Sequence, residues 1–246
     1  DRYVVTSLAD SGPGTLRDAV SGSWREIEFE VSGTIALESG ISVRGEHITL
    51  DGSTSPPPGI TITAAHGGVS GALLELRGAS DIIVRHVRIT DAPDSNAGDN
   101  LRILMDAHDI VVDHVSLRRA GDGNLDISDG AHDVTVQWSI IAETVKNSLI
   151  RTGVYNLSFH HNLYVGGDER NPQLDDASNV DIVNNVICDW STNYGTRTRN
   201  GSTANIVKNV YAPTARGDRA HAIVFIADGG PVYMKGNDLQ ETCGVM

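Results

Sequence analysis

One period runs through most of the chain. The segments DIIVRHVRI (81–89), DIVVDHVSL (109–117), DVTVQWSII (133–141), NLSFHHNLY (156–164), NVDIVNNVI (179–187) and NIVKNVY (205–211) resemble one another. Each opens on Asp or Asn and then alternates apolar with polar residues. The openers Asp109, Asp133, Asn156 and Asn179 are 24, 23 and 23 residues apart, and Asn162, Asn185 and Asn209 step by 23 and 24. Alternation with a period of two marks strands. A fixed step of this longer size marks a stacked repeat in which neighbours bury each other's apolar face. One coil per repeat, stacked at the interstrand spacing of about 4.8 Å, gives an all-β, right-handed parallel β-helix. The asparagines are expected to bond one another in a ladder inside one turn.

Composition agrees. Gly is abundant at 26 residues, Phe is scarce at 3, and the apolar residues are mostly Val, Ile, Leu and Ala. That mixture suits short β-branched strands joined by turns. GPGTLRDAVSG (12–22) reads as a short helix covering the open apolar end of the solenoid. EIEFEVSGTIAL and ISVRGEHITLDG read as the first coils. SPPPG (55–59), APDSNAGDN (92–100) and GTRTRNGST (195–203) read as loops. No linker divides the chain, so the expectation is one domain over 1–246, with about the first 25 residues as the N-terminal cap.

The formal net charge is −13, which argues against nucleic acid, since phosphate binding needs a basic face. A polyanionic substrate would need a local positive feature or a bound cation to overcome the repulsion. No apolar run approaches transmembrane length, so no membrane partner is expected. No signal peptide precedes Asp1, which leaves open a removed leader or a cytoplasmic location. Cys188 and Cys243 make no disulfide framework, and Cys188, in VICDW, is expected to be a small buried hydrophobe.

DGNLDISDG (122–130) holds two carboxylates four apart, Asp122 and Asp126. Asp-Gly pairs form turns, so a plain turn competes with a metal site. The period offers a test. Stepping by 23 or 24 from Asp122 reaches Asp99, Lys146 and Arg170, in the segments AGDN, GDGN, TVKN and DERN. These four residues are expected in one column on consecutive coils. Asp99, Asp122 and Asp126 are hard oxygen donors without nearby His or Cys, which suits Ca²⁺ over Zn²⁺. An EF-hand fits poorly, because its glycine position is Ile127 and its twelfth is Asp133. A surface ladder of charges is the alternative. Among the column's bases, Lys146 is the chemical choice for a general base, since a desolvated Lys loses its proton readily. Arginine ordinarily stays charged to above about pH 12. His114, His160 and His161 lie in strand patterns and are expected to be structural core residues.

GTLRDAV, FEVSGTI, VVDHVSL, DGNLDI, FHHNLY, RNP and VNNV follow in order the motifs of pectate lyases of polysaccharide lyase family 1, and the chain resembles that family from about Asp10 to Tyr211. The resemblance implies a secreted, monomeric, Ca²⁺-dependent enzyme that cleaves polygalacturonate, an acidic polysaccharide, by β-elimination. It implies Asp99, Asp122 and Asp126 as calcium carboxylates, Lys146 as the grip on a substrate carboxylate and Arg170 as the base. It also implies substrate contacts near Gln173. There the run RNPQLD departs from the family's usual Arg-x-Pro-Arg-x-Arg, with Gln173 and Asp175 in place of arginines. Tyr194, 24 residues past Arg170, is a candidate sugar platform. Aspartate-based hydrolysis through Asp175 and Asp176, a binding-only β-helix and a Ca²⁺-independent pectin lyase are the alternatives.

Overall fold

The computed structural model describes residues 1–65, 69, 71–92, 98–191, 194–213, 222–228, 230–241 and 243. It is a parallel β-solenoid of about nine coils. Every strand pairing is parallel, and each strand bonds its counterpart one coil earlier and one coil later. One face carries Arg25–Phe29, Glu46–Asp51, Ser80–Arg85, His108–Asp113 and His132–Gln137 in register. A second carries Gly33–Leu37, Ile60–Ala64, Val87–Thr90 and Ser116–Arg118. The third carries Ile41–Val43, Ala72–Arg77, Asp99–Leu104 and Gly123–Ile127, and continues through the middle of the long strand Ile140–His160.

The alternation in each repeat sets which side chains face inward. Ile82, Ile110, Val134, Leu157 and Val180 stack coil on coil in one register column, each at most 2 % exposed. Burying an aliphatic side chain this fully contributes about 1.5–3 kcal/mol, and the solenoid repeats that gain at every step. The openers of the repeats do a different job. Asp109, Asp133, Asn156 and Asn179 all hold left-handed backbone, with φ between 51° and 57°, a region that Asp and Asn tolerate better than most residues. The expected asparagine ladder is present. Asn185 Oδ1 accepts from the amide of Asn162, and Asn209 Oδ1 from that of Asn185, both at 2.9 Å. Asn237 extends it by one coil.

The cap helix spans only Leu16–Ala19, with Thr15 Oγ1 accepting from Asp18 N at its start. Leu16 and Ala19 are fully buried. Strand Arg2–Val5 already pairs with Arg25–Phe29, so the first coil begins before the helix.

Two expectations are corrected. GTRTR is not loop but strand Tyr194–Arg199. Thr196 and Thr198 point inward, at most 1 % exposed, while the arginines between them point out. Threonine is a strand former, and the period-two pattern is carried here by polar residues. The cysteines are joined as the disulfide Cys188–Cys243, which ties the strand Val186–Cys188 to a segment 55 residues later. Of the expected loop 92–100, residues 93–97 lie outside the described residues, and Asp99 and Asn100 belong to a strand.

Candidate active site

The site lies at the leading edge of the third face. A second asparagine ladder runs beneath it. Asn100 donates to Asn124 Oδ1 at 2.7 Å, Asn124 to Asn147 Oδ1 at 2.8 Å, and Asn147 to Asn171 Oδ1 at 2.5 Å. All four are at most 2 % exposed, and the ladder pins one corner of four successive coils. Each member directly follows a residue of the site edge: Asp99, Gly123, Lys146 and Arg170.

This corrects the expected column. Leu101 pairs with Leu125, so Asp99 stands opposite Gly123, and Gly123 pairs with Lys146. Asp122 falls one residue ahead of the edge, its amide bonding Gly98 O at 3.0 Å. The coil step at this point is 24 residues, not 23. The consequence is chemical. A Cβ on Gly123 would lie 2.8 Å from Asp126 Oδ1 and 2.9 Å from Asp99 Oδ1. The two carboxylates therefore converge over a residue that has no side chain to separate them.

Asp99 is fully buried. Its Oδ1 accepts from Gly123 N at 2.6 Å and its Oδ2 from Arg102 Nε. Lost hydration pushes its carboxyl above the usual carboxylate range, with the charge of Asp122 adding to the effect. Asp126 accepts from Leu149 N at 3.2 Å. Burial, and then the charge of Asp99, push its carboxyl up to about 7. Two desolvated carboxylates short of positive charge are a donor set for a hard cation such as Ca²⁺, so the residues present fit that ion. Asp122 is placed differently: its Oδ1 takes the Lys146 ammonium at 2.7 Å.

Arg170 precedes Asn171 and the turn into strand Gln173–Val183. Each other corner of the solenoid has its own left-handed residue on coil after coil, such as Asp109 and Asp133. Along the site edge only Arg170 is left-handed among the described residues, with φ 64°. Such backbone in a non-glycine residue costs about 1–3 kcal/mol and clusters at functional positions. Its charge partly offsets the upward push on Asp126. Its Nε is buried without a hydrogen bond, the Glu169 carboxylate standing 3.8 Å away.

Gln173 and Tyr194 are not brought to the groove. Tyr194 is 2 % and Gln173 5 % exposed. The tyrosine hydroxyl donates to Gln173 Oε1, and Arg197 lies 5.3 Å over the tyrosine ring. A ring enclosed in this way has no open face for a sugar. Asp175 is bonded by Asn200 and lies 3.5 Å from Arg199, so it forms no carboxylate pair with Asp176. His114 and His161 are surface residues, not core. With His86 and Trp138 they stack along one outer corner, centroids 4.4–6.3 Å apart. His86, Asp113 and His114 approach one another there, and His114 Nδ1 is 2.8 Å from Asp113 Oδ1. The residue that sequence reasoning missed at the site is Arg102, which carried no signal in the repeat.

No protein-family model matches the chain. Among curated proteins, a "Probable pectate lyase C" of Aspergillus terreus is 34 % identical over 216 residues, 85 % of this chain and 49 % of the relative. The chain thus spans about half the length of the curated relatives it matches. Among solved structures, jun a 1, the major allergen of cedar pollen, superposes with a TM-score of 0.69 at 19 % identity, covering 100 % of this chain and 82 % of the other. Pectate lyase C of Erwinia chrysanthemi at pH 9.5 with 30 mM Ca²⁺ superposes with a TM-score of 0.59 at 19 % identity, covering 96 % and 75 %. By descent over most of its length, and by its fold, the chain belongs with the pectate lyases.

Proposed function

We propose that the protein is a Ca²⁺-dependent pectate lyase that cleaves α-1,4-polygalacturonate by β-elimination. The observation that carries this reading is the convergence of Asp99 and Asp126 over Gly123, one coil from Lys146 and two from Arg170. Asp99 and Asp126 would hold the cation, with Asp122 at its margin. When bound, Ca²⁺ supplies charge neutralisation to a uronate carboxylate and to the enolate-like charge that develops on it.

The chain's own residues do the rest. Lys146, partly exposed and held by Asp122, can turn its ammonium to the same substrate carboxylate. That carboxylate otherwise makes the neighbouring C–H very weakly acidic. Arg170, in its deprotonated form, takes that proton. The electron pair left behind forms the C=C bond as the C–O bond to the glycosidic oxygen at the β position breaks, and the departing oxygen takes a proton from water. Because the deprotonated fraction of such a base grows with pH, activity is expected to rise into the alkaline range. The Cys188–Cys243 disulfide suits an oxidising compartment, in keeping with secretion toward an extracellular polysaccharide.

The test is the ultraviolet absorbance of unsaturated uronate formed from polygalacturonate at about pH 9, with Ca²⁺ and then with chelator. A rise that chelator abolishes is expected, and Arg170→Ala should remove it while leaving the fold intact. A flat trace in both arms would overturn the reading. A rise indifferent to chelator would replace it with a Ca²⁺-independent lyase.

A further inference from the structure

Arg102 is the one strong cation built into the carboxylate cluster itself. It pairs across the strands with Glu75 on one side and Asp126 on the other, so the three outward positions form an acid–base–acid column. From there its Nε reaches three residues back to Asp99 Oδ2. Its terminal nitrogen lies 3.8 Å from Glu75 Oε1, and Glu75 is shared with Arg77 at 3.9 Å. Asp99 is thereby engaged on both oxygens, by Gly123 N and by Arg102.

A carboxylate oxygen has lone pairs enough for more than one partner. A divalent cation drawn to Asp99 and Asp126 must nevertheless share Asp99 with a guanidinium, and like charges a few ångströms apart in a poorly hydrated site repel strongly. Glu75 offers the guanidinium somewhere else to go.

Resting on the calcium site proposed above, we infer that Arg102 is a resident counter-cation of the Asp99–Asp126 pair that competes with the divalent metal, holding its affinity down until Arg102 shifts toward Glu75. The free protein is then a weak calcium binder. A uronate carboxylate arriving at the site tightens binding in two ways, by donating oxygens to the metal and by giving Arg102 a further anion. Arg102 acts here as a positioning residue.

The experiment is calorimetric titration with CaCl₂ alone, without polysaccharide, on the whole chain at pH 8 and fixed ionic strength. R102Q keeps an amide donor for Asp99 but loses the charge, and should bind calcium at least about tenfold more tightly than wild type. R102K keeps the charge and should stay within about threefold of wild type. A packing role would instead weaken both variants. In wild type, saturating calcium should free the Arg102 Nε–H, read as faster exchange of its ¹⁵N-resolved proton with water. Equal or weaker binding by R102Q, or an Arg102 signal unmoved by calcium, overturns the inference, as does the absence of calcium binding in both wild type and R102Q. Calcium binding with the expected R102Q gain but no unsaturated product leaves the inference standing and removes the lyase reading.

Discussion

The Lys146 ammonium lies 2.7 Å from Asp122 Oδ1, across the boundary between two coils. The pair is partly open to solvent, and ion pairs of that kind contribute about 0.2–1 kcal/mol. Lys146→Met should therefore cost no more than about 1 kcal/mol in denaturant unfolding. If the ammonium turns to the substrate carboxylate, the same change should lower kcat/KM by about 100-fold or more, the usual scale for losing one charged stabiliser. A stable variant with wild-type kinetics would take Lys146 out of the site.

Gly123 is required by approach, not by backbone conformation. The methyl of Gly123→Ala would press on Asp99 Oδ1 and Asp126 Oδ1, both under 3.0 Å away. Neither carboxylate can be pushed aside without losing its backbone hydrogen bond. The calcium concentration for half-maximal activity should rise by about tenfold or more. Activity measured across a calcium series checks this.

The site-side ladder is a stability element with a catalytic consequence. Asn124→Ala removes the donor to Asn147 Oδ1 and an acceptor for Asn100. Buried polar groups left without partners cost about 1–3 kcal/mol each, so a loss of about 3 kcal/mol is expected. Calorimetry should show a matching fall in Tm, and activity at low temperature should fall too as the spacing of Asp99, Lys146 and Arg170 loosens.

Asp126 makes stability depend on pH with a definite sign. An unfolded aspartate gives up its proton near 3.8, whereas burial holds the folded group protonated up to about 7. Between those values the folded chain binds the extra proton, so this group's contribution falls as pH rises from about 4 to about 7 and is flat beyond. Denaturant unfolding in chelator should show the slope. Asp126→Asn should flatten it, and millimolar calcium should oppose it by binding the ionised form.

The Cys188–Cys243 bridge closes a loop of 55 residues. Loop-closure entropy alone assigns such a bridge about 4 kcal/mol. Cys243→Ser, or a reductant, should lower Tm accordingly while leaving the catalytic coils in place, since they lie outside most of that loop.

The fold was legible because each coil repeats the same compromise between an inward aliphatic and an outward polar residue, and Asn162, Asn185 and Asn209 declare it by spacing alone. The site was legible less evenly. Asp99, Asp126, Lys146 and Arg170 do meet along one edge, but the register of Asp122 was set one residue off, because a coil may add a residue without disturbing the pattern on either side. The marker that fixes register was present in AGDN, GDGN, TVKN and DERN: the shared final Asn aligns Gly123, not Asp122, with Asp99. Strand 194–199 hid because its inward residues are threonines. Gln173 and Tyr194 were placed at the groove by proximity in sequence to Arg170, and spacing cannot tell which side of a strand a residue faces once a turn intervenes. Arg102 obeys no period, since its role comes from reaching sideways to Asp99.

The two asparagine ladders occupy different corners and overlap only briefly. One spans Asn100 to Asn171, and the other runs from Asn162 to Asn237. The molecule is thus two staggered zippers that share a splice. Fraying that starts at either end must undo one zipper before it reaches the splice, so backbone amides around Asn147–Asn171 should be the last to exchange with deuterium. The base Arg170 sits within that splice, in the stretch of chain that the solenoid surrenders last.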